Sequence, residues 1–131
     1  MKSSLAGVRT LMSTAALQYN KFKQQVAEEG KVFTFTIEGE YLVFPVRGQE
    51  VIPFWSSRRR IMTVQKSHQQ YLRYEITEMG LDEFIQWFPK LAEERIFIGT
   101  NWSGTRLEGY DVSTQDLQAG IEYWLNRESE E

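Results

Sequence analysis

With 131 residues and no cysteine, the chain has the size of one domain with a single core. It excludes a disulfide framework, a thiolate metal site, an iron–sulfur cluster and a thiol nucleophile. Its 15 basic and 18 acidic side chains leave a net charge of -3, which gives no global attraction to nucleic acid or to an anionic membrane.

Residues 1–12 carry Lys2 and Arg9, with the apolar positions between them broken by Ser4 and Gly7. No signal-peptide core is expected there, and no run reaches the roughly 18 apolar residues that cross a bilayer. The expectation is a soluble, cytoplasmic chain: an N-terminal extension over 1–12, one domain over 13–127 and an acidic tail over 128–131.

Ser13 predicts the cap of a first helix carried by Ala15, Tyr19, Phe22 and Val26 and closed at Gly30. Its other face, Gln18, Lys21, Gln24, Gln25 and Glu28, is polar and is expected to meet water. Lys31–Glu38 alternates Phe33, Phe35 and Ile37 against Val32, Thr34 and Thr36, the pattern of a strand. Glu38-Gly39 turns the chain into a second strand, Glu40–Val46, which Pro45 confines to an edge or an end. Val51–Trp55 follows the turn Arg47-Gly48-Gln49 as a third strand, completing an antiparallel meander.

Ser56 and Ser57 predict the cap of a second helix, Ser57–Gln69, with Ile61, Val64 and His68 turned inward. Tyr71–Met79 alternates as a fourth strand. Leu81–Phe88 is a third helix, with Asp82 and Glu83 in its first turn and a restart at Pro89. Ile96–Ile98 reads as a short fifth strand that Gly99 stops, leading into a loop over Thr100–Gly109. Val112, Ser113, Asp116 and Leu117 mark the start of a last helix, with Leu117, Ile121, Trp124 and Leu125 inward. The predicted fold is α+β: a mainly antiparallel five-stranded sheet with helices packed largely on one face.

Tyr19, Phe22 and Gly30, then Ile52-Pro53-Phe54-Trp55-Ser56-Ser57-Arg58, Leu81-Asp82-Glu83-Phe84, Trp87-Phe88-Pro89 with Leu91, and Gly99-Thr100-Asn101-Trp102 occur in that order. Together they resemble the bacterial domain of unknown function 2750 family over residues 16 to 118. The resemblance implies no activity, cofactor or partner. The chain departs from it at Arg59-Arg60, where small or acidic helix-formers are expected in relatives, and in the extension over 1–12.

Arg58, Arg59 and Arg60 in the first turn of the second helix oppose its dipole, so stability alone does not select them. With the hydroxyls of Ser56 and Ser57 they suit a phosphate or carboxylate, and Trp55 beside them can stack a ring. The plainer reading is a solvated charge run. Asn101 and Trp102 form a second candidate in the loop after the buried strand; the alternative is that Trp102 folds back on the core while Asn101 makes a turn. His68 is the sole histidine, which leaves no histidine metal cluster and no catalytic assignment. Asp82 and Glu83 point about 100° apart on a helix and do not converge as an acid/base pair. No phosphate-binding glycine loop, dinucleotide fingerprint or calcium loop is present, so no cofactor is expected.

The aromatic pairs Phe33/Phe35, Trp87/Phe88 and Tyr123/Trp124 read as one core member and one half-exposed member each, a surplus that suits a homodimer contact. The leading expectation is a non-enzymatic protein-binding or regulatory module of the immunity or adaptor kind, with an unknown protein partner and no nucleic acid. The alternative is a small-ligand or nucleotide/phosphate-binding module built on Arg58–Arg60.

Overall fold

The computed structural model describes residues 13–129; the predicted extension over 1–12 and the last two residues of the predicted tail lie outside them. The elements in chain order are α1 (Thr14–Glu29), β1 (Lys31–Ile37), β2 (Glu40–Tyr41), β3 (Phe44–Val46), β4 (Gln49–Phe54), α2 (Arg58–Ser67), a 3-10 turn (Gln69–Arg73), β5 (Glu75–Gly80), α3 (Leu81–Gln86), α4 (Phe88–Glu93), β6 (Ile96–Ser103), β7 (Glu108–Val112) and α5 (Thr114–Ser129). Ser13 Oγ accepts from the Ala16 amide at the start of α1. Gly30, at φ +72°, closes the helix by donating to the Val26 carbonyl, a left-handed cap that a side chain would disfavour.

The strands form two sheets in place of the expected five-stranded one. In the first, β1 lies between β2 and β5 and is antiparallel to both. The second has the order β3-β4-β6-β7, with β4 and β6 parallel and the outer pairs antiparallel. They are joined where β4 ends: Phe33 and Trp55 exchange backbone hydrogen bonds of 2.9 and 2.8 Å. Thr34 Oγ1 donates to the Pro53 carbonyl at 2.7 Å beside this junction.

Three local features account for the difference. The segment expected as one strand breaks at Leu42-Val43, so Glu40–Tyr41 pairs with β1 while Phe44–Val46, with Pro45, forms the edge beside β4. Tyr71–Arg73 belong to the 3-10 turn, and β5 begins only at Glu75. Gly99 does not stop its strand: β6 continues to Ser103 and turns back as β7, pairing Ile98 with Val112 and Thr100 with Tyr110. The polar run Thr100–Gly109 conceals that hairpin from hydrophobic periodicity.

Side-chain alternation sends the strands into two cores, where one was expected. Val32, Ile52, Phe54 and Ile98 pack with Phe22 and Val26 of α1, Phe84 of α3, Phe88 and Leu91 of α4, and Leu117 and Ile121 of α5. Phe33, Phe35, Val51, Trp55 and Trp102 pack instead with Ile61 and Val64 of α2. Helices therefore cover both faces, because an arrangement on one face would leave Phe33, Phe35 and Trp55 in water. Phe33 and Phe35 are both buried, unlike the half-exposed member expected of that pair. Among the described residues no helix is long and apolar enough to cross a membrane.

Candidate functional site

Between α2 and the β6–β7 hairpin lies a cleft of about 400 Å³. On one wall, Arg59, Arg60, Thr63, Val64, Ser67 and His68 form a stripe that recurs every four residues along the whole of α2. The opposite wall carries Trp55, at the end of β4, with Asn101, Trp102 and Gly104 from the hairpin.

The hairpin wall is shaped by a register irregularity between Thr100 and Ser103. Asn101 sits there with φ +50°, a left-handed conformation that asparagine tolerates better than most side chains. It is 2% exposed. Its Oδ1 accepts from the Ser56 amide at 2.9 Å, while Nδ2 donates to Ser56 Oγ at 3.1 Å and to the Gln18 carbonyl at 3.4 Å. A buried amide thus ties the β6 bulge to the start of α2 and to α1.

The same irregularity lays the Trp102 indole over the backbone of Gly99 and Gly109. A β-carbon at Gly99 would collide with the ring, and one at Gly109 would stand 2.8 Å from the Thr100 carbonyl, so both positions require glycine for close approach. Trp102 Nε1 donates to Asp111 Oδ1 at 2.8 Å, and Trp55 Nε1 donates to the Trp102 carbonyl at 2.8 Å. Burial pushes the Asp111 carboxyl above its usual range, against the opposing pull of the indole hydrogen bond and the Arg47 charge.

Arg60 is the half-buried cation of the cleft. Its Nη1 donates to Gln18 Oε1 at 2.7 Å and its Nε to Gln25 Oε1 at 3.4 Å, both neutral oxygens on α1. Among the described residues no carboxylate lies within ion-pair distance of Arg60 or of Arg59. Burial draws the Arg60 pKa down from its ordinary value, yet a guanidinium stays charged in a protein, and a desolvated charge without a counter-ion is unfavourable. Ser57 Oγ caps the helix by accepting from the Arg60 amide at 3.2 Å.

The eight candidate residues separate as follows. Trp55, Ser57, Arg59, Arg60, Asn101 and Trp102 line the cleft. Ser56 is fully buried behind its wall, donating to Gln25 Oε1 and receiving Asn101. Arg58 points elsewhere: Nη2 meets Glu78 Oε1 at 3.4 Å and its guanidinium lies 5.1 Å from the Phe33 ring. Positions 58 and 60 of a helix project about 200° apart, so both cannot face one cleft. Trp102 does fold back on the core, as its plainer reading has it, and still walls the cleft.

Gln25, Thr63, Ser67 and His68 were not singled out as site residues from sequence. Gln18 and Gln25 were assigned to a solvent face, where their reach to Arg60 and Ser56 depends on packing that α1 alone does not reveal. His68 closes α2, and its Nε2 lies 2.8 Å from the Gly104 carbonyl, linking the far ends of the two walls. A family model described as "Protein of unknown function (DUF2750)" matches residues 19–121, a span that includes every residue of the cleft. No curated protein matches the chain.

Proposed function

We propose that this chain, which belongs to the DUF2750 family, binds a small anionic molecule in the cleft between α2 and the β6–β7 hairpin. The observation that carries the reading is Arg60: half-buried, facing the cavity beside Arg59, and held by amide oxygens that orient its charge without neutralising it. An anion on Arg59 and Arg60 would supply the missing countercharge through directional, charge-assisted hydrogen bonds. The cavity volume lies within the range of about 300–1,000 Å³ typical of small-molecule sites. Binding is favoured over turnover because His68, the only imidazole, is engaged with Gly104. Protein docking at the cleft itself has less support, since Trp55 and Trp102 are buried and offer little aromatic surface there.

Thermal melts at low ionic strength with inorganic phosphate, sulfate and citrate test the reading. An anion at ten times its Kd adds about 1.4 kcal/mol, a rise in Tm of about 4 °C or more for a domain of this size. Arg60→Met should abolish that rise while leaving the ligand-free Tm within a few degrees, because the guanidinium it removes has no ionic partner. No saturable stabilisation by any of the three anions, or one that survives Arg60→Met, would rule the reading out.

A further inference from the structure

The outward face of α5 carries four exposed residues in one stripe, Asp116, Ala119, Tyr123 and Arg127. Spaced three, four and four positions apart, they fall within about 80° of one another around the helix axis. Tyr123 is 54% exposed and is held from its own helix: Arg127 Nη1 donates to its hydroxyl at 3.3 Å, and Trp124 meets its ring edge-on. Neither Asp116 nor Arg127 forms an ion pair among the described residues. The helix dipole favours an acid in the first turn and a cation in the last, but it does not account for an aromatic ring left in water between them. Beside the stripe, a groove of about 470 Å³ between α4 and α5 is edged by the exposed side chains of Pro89, Ala92 and Ala119. This surface is separate from the anion cleft, since α5 and α2 pack into different cores on opposite faces of the sheets.

The order of the stripe is its own complement when reversed. Asp116 and Arg127 lie about three helical turns apart, and Ala119 and Tyr123 lie between them about nearly the same midpoint, at Ile121. Turned end for end, a second α5 sets Arg127 against Asp116 at both ends and Tyr123 against Ala119 twice in the middle. We infer that this face binds a second copy of the chain, as a two-fold antiparallel pair of α5 helices. Reciprocal contacts of this kind make an isologous interface, whereas a foreign partner would impose no such symmetry on the spacing. The small Ala119 side chain lets the two axes approach and seats the second copy's ring at the edge of the α4–α5 groove. One helix pair is a contact at the low end of interface sizes, so the dimer is reversible and concentration-dependent.

Sedimentation velocity on the intact chain tests the pairing. The weight-average sedimentation coefficient should climb toward that of a dimer as concentration rises through the micromolar range and beyond. Asp116→Arg and Arg127→Asp should each raise the dissociation constant tenfold or more, because like charges then face each other at both ends. Tyr123→Ala should do the same while leaving every charge in place. Mixing the two charge variants in equal amounts should recover an affinity within threefold of the unsubstituted dimer, because two basic ends then meet two acidic ones; a folding defect in either variant would prevent that recovery. A chain that stays monomeric at every concentration would overturn the inference. So would association that survives all three substitutions, which would place the contact on another face, or losses that mixing does not restore. Each outcome is independent of anion binding in the cleft.

Discussion

The face of the joined sheets under α1, α3, α4 and α5 and the face under α2 are made by the same strands, yet they are finished differently. On the first, Phe22, Val26, Phe54, Phe84, Ile98, Leu117 and Ile121 are fully buried, and α1 and α5 are 16 residues each. On the second, α2 is 10 residues long and buries only Ile61 and Val64. The rest of that face is made by Phe33, Phe35 and Val51, by indoles tied through their N–H groups and by a polar network of Ser56, Asn101 and Gln25. A short helix over an aromatic face leaves a gap, and the gap is where uncompensated charge collects. The comparison separates a face that supplies stability from one that gives up some of it to hold a shaped cavity.

The largest expected effect lies on the closed face. Phe84 packs its ring 4.6 Å from Phe54 and 4.9 Å from Phe88, centroid to centroid. Phe84→Ala should lower the unfolding free energy by about 3–5 kcal/mol, read by urea denaturation, with anion affinity unchanged in the folded fraction. A loss of affinity matching the loss of stability would show that the two faces are one energetic unit. Next in size is Asn101 on the open face. Asn101→Gly removes the bonds to Ser56 and strands a buried amide, an expected loss of about 1–3 kcal/mol. Asn101→Ala should be worse by about a further 1 kcal/mol, because alanine must also adopt φ +50°. Equal losses from the two substitutions would remove the left-handed backbone from the account of how the wall is shaped.

How much of this was legible in the sequence follows from the range over which each signal acts. The limits of α1 and the start of α5 were readable because capping residues act within a few positions: Ser13, Gly30 and Ser113 each make the local bond their residue type suggests. The split into two sheets was not, since it depends on Leu42-Val43 leaving one pairing partner for another, and nothing in that dipeptide names the partner. Strand β7 was hidden because Glu108, Gly109 and Asp111 break the apolar alternation, and Gly99, taken as a stop, serves a ring three residues away. At the site, the arginine cluster and Asn101-Trp102 were visible as residue types out of keeping with their surroundings. Which arginine turns inward follows from helix phase relative to β1 and α1, so Arg60 and Arg58 were indistinguishable until those neighbours were placed.

A smaller effect concerns the rim of the closed face. Tyr19 stacks on Tyr110 with centroids 4.7 Å apart, and its phenol is pushed up to about 12, chiefly by burial and then by Tyr110 and Asp116. The folded-state pKa is raised above the ordinary value of 10.0, so the associated stability is fully present below pH 10 and is lost as pH climbs from 10 to about 12. Tyr19→Phe should make the fall in Tm across that window shallower than in the unsubstituted protein and leave the neutral-pH side flat. Parallel curves for the two proteins would mean that another group governs the alkaline limb.

The smallest expected effect is the sharpest test of the division within the arginine cluster. Arg58 is more than half exposed, with its ion pair to Glu78 at 3.4 Å and its guanidinium over Phe33. Exposed pairs of this kind contribute about 0.2–1 kcal/mol, so Arg58→Ala should lower Tm by a few degrees at most. Because its guanidinium lies on the far side of α2 from the cleft, the same substitution should change phosphate affinity less than twofold, while Arg60→Met abolishes measurable binding. If charge density at the start of α2 were what attracts the anion, the two substitutions would weaken binding equally and raising the salt concentration would erase both effects together. Unequal losses that persist at physiological ionic strength would instead require a ligand held in the cleft by the guanidinium that Gln18 and Gln25 orient.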